Sequence, residues 1–126
     1  ERVPIGEGFW EKLVMGTRDD STLRKEVKMM GELGLATDFV LRKANYLLEG
    51  ADRSSLLLLD VIQLVHRCLE REKDRGYASL MVEKLQIKKT LEPLLGLREQ
   101  RVADRAGVLL DFVLGPLTDV DMTHRI

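Results

Sequence analysis

One pattern is written twice in this chain. Leu47-Leu48-Glu49-Gly50 is followed by Leu58-Leu59-Asp60-Val61-Ile62, and Leu94-Leu95-Gly96 is followed by Leu109-Leu110-Asp111-Phe112-Val113. Each copy reads as a leucine-rich helix end, a short polar loop and a second apolar helix. The copies lie roughly 50 residues apart, close to the period of stacked helical units. Such a unit buries one face against a neighbour and leaves the other for partners. The pattern predicts an all-α binding module and points to no chemistry.

The rest of the chain follows the same three-to-four spacing, and no alternating strand pattern persists. A short helix is predicted over Phe9 to Met15, with Phe9 and Trp10 packed on the bundle. Asp20 or Ser21 caps a second helix, with Leu23, Val27, Met30 and Leu33 apolar and Gly34 at its end. Thr37 and Asp38 open a third that Gly50 stops. The longest is predicted from Ser54 to Arg75. It is apolar over most of its circumference and therefore central. Its end, Glu70 to Arg75, alternates in charge and reads as a solvated terminus. After Gly76 a helix presents Tyr77, Leu80, Met81 and Leu85, and Thr90 caps another over Leu91 to Leu95. The last runs from Gln100 to Leu114, with Val102, Ala103, Ala106, Leu109, Leu110 and Val113 inward and Gly115-Pro116 as its stop. This reading gives one domain over residues 1–116 and a frayed tail over residues 117–126.

A length of 126 residues suffices for one domain with a real core. A hydrophobic share of 44% against 33% charged residues is a globular balance. The net charge of -1 argues against a general nucleic-acid footprint, so no direct nucleic-acid partner is expected. No apolar run nears the roughly 20 residues of a membrane span. Cys68 is the single cysteine, so an intrachain disulfide is impossible and a buried structural thiol is expected. The chain starts at Glu1 rather than Met, and is expected to be a piece of a larger intracellular protein.

Signs of catalysis are sparse. His66 and His124 have no histidine or cysteine at ligand spacing, and His66 reads as a helix-boundary residue. Asp119 and Asp121 form a lone acidic pair in the tail. Gly6 and Gly8 precede no phosphate-loop signature. Ser21, Ser54, Ser55 and Ser79 sit near helix starts, where capping accounts for them. The expectation is no enzyme, no cofactor, no metal and no small-molecule substrate.

Basic residues gather in the C-terminal half. Lys84, Lys88, Lys89, Arg98 and Arg101, with Arg105 one turn further on, are the candidate patch for an acidic peptide, because complementary charge directs partner choice. Glu83, Glu92, Glu99 and Asp104 stand beside them and would partly neutralise the surface.

The segment Leu80, Leu85-Gln86-Ile87-Lys88-Lys89-Thr90-Leu91, Leu94, then Val102-Ala103-Asp104-Arg105-Ala106-Gly107-Val108-Leu109-Leu110 resembles the TFIIS N-terminal domain family, which includes the integrase-binding domain of a chromatin-tethering protein. Leu58 to Leu64 looks like the family's central helix, so the likeness covers residues 54–114 and leaves residues 9–50 as extra N-terminal helices. Lys88 stands where the family often has glycine, and Val113 where it usually ends in tryptophan. The resemblance implies a compact right-handed helical bundle that binds short disordered motifs carrying acidic residues and an aromatic or apolar anchor. It implies a nuclear setting in transcription elongation or chromatin complexes. By position, Lys84, Lys88, Lys89, Arg98 and Arg101 would receive the motif. The competing reading is a short armadillo/HEAT-like superhelix or a VHS-like adaptor in trafficking or the cytoskeleton; a third is a dimerisation domain using the run Leu56 to Leu59.

Overall fold

Repetition of apolar side chains every three or four residues lets each segment close its backbone hydrogen bonds internally and still present one continuous stripe for burial. In the computed structural model, which describes residues 20–49 and 53–117, this produces six α-helices and no strand among the described residues. They are α1 (Asp20–Leu33), α2 (Thr37–Leu48), α3 (Ser55–Arg71), α4 (Arg75–Lys84), α5 (Ile87–Leu91) and α6 (Gln100–Leu114), with a 3-10 helix over Glu92–Gly96 between α5 and α6. The molecule is an all-α helical bundle, as the spacing predicts. The helix predicted over Phe9 to Met15 lies outside the described residues, as do Asp119, Asp121 and His124.

Helix α3 is the axis of the bundle. Ser54 begins it: its Oγ accepts the Leu57 backbone N–H at 3.2 Å, satisfying one of the free donors of the first turn. Eight side chains of α3 are buried, among them Leu57, Val61, Ile62, Val65 and Leu69, and the helix packs against α1, α2 and α6. Such a broad buried face is what the near-continuous apolar run predicts. Cys68 is buried within it, as expected of a structural thiol.

Helix α1 buries Leu23, Val27 and Met30, one per turn, while Leu33, expected in the core, is exposed. It runs parallel to α3. At their starts Asp20 Oδ2 accepts the Ser54 N–H at 2.6 Å, further along Arg24 Nε donates to Asp60 Oδ2 at 2.7 Å, and Gly31 lies against Leu64. Gly34 turns the chain out of α1 with φ +64, a left-handed backbone that glycine adopts without a Cβ clash.

Three boundaries depart from the sequence expectations. The long helix stops at Arg71, not Arg75. Glu72 turns extended and acts as a two-handed clasp: one carboxylate oxygen accepts Thr37 Oγ1–H at 2.5 Å and the other accepts the Asp74 N–H at 3.1 Å. Asp74 then caps α4 by accepting the Tyr77 N–H at 3.0 Å. All the residues of this charged run are tolerated in helices, so spacing alone shows no break. Thr37 itself caps nothing, since Ala36 precedes α2 without a side-chain cap.

The second departure is at α5. Thr90 is not a cap; it lies inside the helix, its Oγ1 donating to the Gln86 carbonyl at 3.3 Å. Helix α5 begins after Gln86, whose φ of 57 is left-handed, and Asn45 Nδ2 reaches across from α2 to the Leu85 carbonyl at 3.1 Å to hold this turn. Pro93 falls in the first turn of the 3-10 helix, where a missing N–H costs nothing. The third is at the end of the chain: Leu117, placed by sequence in a frayed tail, is buried.

The phase of α4 also differs. Ala78, Met81 and Val82 face the core, while Leu80 is 59% exposed. Leu110 is half-buried, and Leu109 takes the inner position. Described buried residues from all six helices and the 3-10 turn join one apolar cluster. No helix among the described residues is long and apolar enough to cross a membrane.

Candidate peptide-binding surface

The five basic residues singled out by sequence fall on four successive pieces of structure. Lys84 is the exposed last residue of α4, where a cation complements the helix dipole. Lys88 and Lys89 are the second and third residues of α5; Lys89 is exposed, and Lys88 is half-buried. Arg98 is exposed in the loop after the 3-10 helix, and Arg101 is exposed in the first turn of α6. The carriers pack on one another, α5 against α4 and α6, and the 3-10 helix against α5 and α6. The basic residues therefore share the C-terminal half of the bundle, on elements held by common contacts.

The side chains differ in what they already bind. Arg101 donates to Glu99 at 3.4 Å, and this contact, with the Arg101 backbone N–H, holds the Glu99 carboxyl below the usual range. Lys84, Lys88, Lys89 and Arg98 form no ion pair among the described residues. The acids expected to neutralise the patch engage elsewhere in one case: Asp104 accepts from Gln100 at 2.7 Å.

Lys89 borders a depression of about 300 Å³ between the end of α2, the α4–α5 turn and the 3-10 helix, lined also by Leu48, Leu85, Thr90, Pro93 and Leu94. None of the other four basic residues lines it. Beside the basic residues, Leu95 (42% exposed) and Leu97 (39%) stand out from the 3-10 helix and its loop. A Cβ at Gly107 would lie 3.7 Å from Leu95, in ordinary van der Waals contact, so Gly107 of α6 lies beside the 3-10 helix. The sequence reading identified the charges here and missed the exposed leucines, because an apolar residue in a helical stripe reads as core.

A second feature escaped it altogether. A groove of about 700 Å³ runs between α1 and α3, bordered by Arg24, Lys25, Lys28 and Arg67. The signal was Arg24 and Lys28 one turn apart, with Gly31 next on the same stripe.

His66 is half-buried on α3, as expected, with its ring 4.9 Å from that of Phe112 and its Nε2 3.6 Å from Glu70. The Arg75 guanidinium lies over the same ring, 5.6 Å from the Phe112 centroid. These contacts tie α3 and the start of α4 to α6. Among the described residues no three His, Cys, Asp or Glu side chains come together as a metal site.

The fold and surface define an all-α bundle with exposed basic and leucine side chains. The chain matches no protein-family model, no curated protein and no solved structure.

Proposed function

We propose that this chain is a non-enzymatic scaffold domain that binds short disordered peptide motifs, in nuclear complexes of transcription elongation or chromatin. The observation that carries the reading is the occurrence of cations and exposed apolar side chains on packed elements of the C-terminal half: Lys84, Lys88, Lys89 and Arg98 form no ion pair among the described residues, and exposed Leu95 and Leu97 lie between Lys89 and Arg98 in the chain. A motif with carboxylates beside an aromatic or apolar anchor matches both. The cations speed its encounter, and the leucines remove its anchor from water. A disordered motif loses entropy on ordering, so the complex is modest in strength and exchanges readily. The resemblance of residues 54–114 to the TFIIS N-terminal domain family supports the nuclear setting.

The test is capture of partners from nuclear and cytosolic extracts by the domain, with and without the exposed pair Lys89→Glu/Arg101→Glu, read by mass spectrometry. Enrichment of elongation or chromatin proteins, lost on reversal, is the expected result. Enrichment of trafficking or cytoskeletal proteins would favour an armadillo/HEAT/VHS-like adaptor, and binding indifferent to reversal would move the site elsewhere.

A further inference from the structure

We propose that the groove between α1 and α3 is a second docking site, and that it takes a segment of a partner protein carrying carboxylates beside an apolar side chain. This goes beyond the C-terminal surface, none of whose five basic residues borders the groove.

The shape comes from a small residue. Gly31 lies in the groove, and a Cβ built there would find only Leu64 Cδ1 within reach, at 3.6 Å. Any larger residue at this position would narrow the channel. Val27 and Leu64 lie below, and Leu56, 45% exposed, stands at the side. These groups offer an apolar side chain a place out of water. The lining stretch of α1, Asp20 to Glu32, is about 18 Å long at 1.5 Å per residue, room for about five residues of extended chain.

The charge selects the occupant. Arg24 and Asp60 neutralise each other at 2.7 Å, and the Asp20 carboxylate is engaged by the Ser54 N–H. Three cations on the walls, Lys25, Lys28 and Arg67, then have no ion pair among the described residues, against two carboxylates, Asp20 and Glu32, that have none either. This leaves a local excess of positive charge in a chain whose net charge is -1. Carboxylates on the incoming segment would match that excess, with the Arg67 guanidinium able to grip one in a forked pair. The same excess repels a basic segment, so the groove discriminates as well as attracts.

The experiment titrates the full chain with a short synthetic peptide in which glutamates flank a Leu-Phe pair, followed by backbone amide shifts in ¹⁵N spectra. A control peptide replaces the glutamates with lysines. Shifts at Lys28, Gly31 and Leu64 with the acidic peptide alone are expected. Affinity should fall about tenfold or more in Lys28→Glu/Arg67→Glu, remain in Lys28→Arg/Arg67→Lys, and the groove shifts should survive Lys89→Glu/Arg101→Glu. Both groove cations are exposed, so the reversed variant should keep the parent's melting curve. The proposal is overturned if the acidic peptide fails to shift the groove, if the groove shifts survive Lys28→Glu/Arg67→Glu, or if the free protein shows contacts from Trp10 to Leu64, which would make the chain's own N-terminal segment the occupant. Shifts near Lys89, abolished by Lys89→Glu/Arg101→Glu, with none at Lys28, Gly31 or Leu64 would uphold the C-terminal surface while removing this one.

Discussion

At the scale of single residues, depth decides what a leucine contributes. Leu109 is fully buried, whereas Leu80 stands in water. Leu109→Ala should cost about 2–5 kcal/mol in urea unfolding, and Leu80→Ala close to nothing. Backbone conformation supplies a second contrast. Gly34 and Gln86 both adopt left-handed φ values. Gly34→Ala should cost about 1–2 kcal/mol, while Gln86→Gly should be neutral or gain up to about 1 kcal/mol, with Gln86→Val destabilising. Cys68 adds a pH effect. Burial pushes its thiol above the ordinary 9.0, against smaller lowering contacts from Thr37 and Arg71. The unfolded chain therefore loses this proton first. The contribution is intact below that ordinary value and falls as pH rises above it, toward the raised pKa of the folded state. Urea midpoints of the parent should decline more from neutral to alkaline pH than those of Cys68→Ala, and a thiol reagent should label Cys68 only after unfolding.

At the scale of elements, the bundle depends on side chains that end one helix and begin the next. Ser54 and Asp74 each cap a helix, and Ser54→Ala or Asp74→Ala should lower stability by about 1 kcal/mol each. Glu72 joins the start of α2 to the α3–α4 turn through two hydrogen bonds. Loss of both in Glu72→Ala should exceed the loss in Thr37→Val, which removes one. Double-mutant unfolding would check this: the Thr37 effect should vanish in the Glu72→Ala background. These junctions are where sequence reading was weakest. The caps at Ser54 and the stop at Gly34 were legible, because both act on their own neighbours along the chain. The break at Glu72 was not, since its partner Thr37 lies 35 residues away.

At the scale of the whole molecule, cations with no ion pair among the described residues lie on two different parts of the bundle: one set on α4, α5 and the approach to α6, the other between α1 and α3. Exposed charges contribute little to folding, so Lys89→Glu/Arg101→Glu should change stability by less than about 1 kcal/mol while weakening an acidic partner. The run Leu56 to Leu59 resolves into Leu57 and Leu58 buried, Leu59 half-buried and Leu56 exposed. That distribution suits a central helix with its own neighbours. Light scattering should accordingly give the mass of a single chain, and a dimer would redirect attention to Leu56.

The sequence by itself determined the helical class, the central place of the Leu57 to Leu69 stretch and the buried state of Cys68, because each follows from spacing and composition along one segment. Tertiary structure alone decided which of two adjacent leucines turns inward, where the charged run breaks, and that α1 and α3 lie side by side around Gly31. Those outcomes rest on contacts between residues far apart in the chain, and helical periodicity holds no information about them.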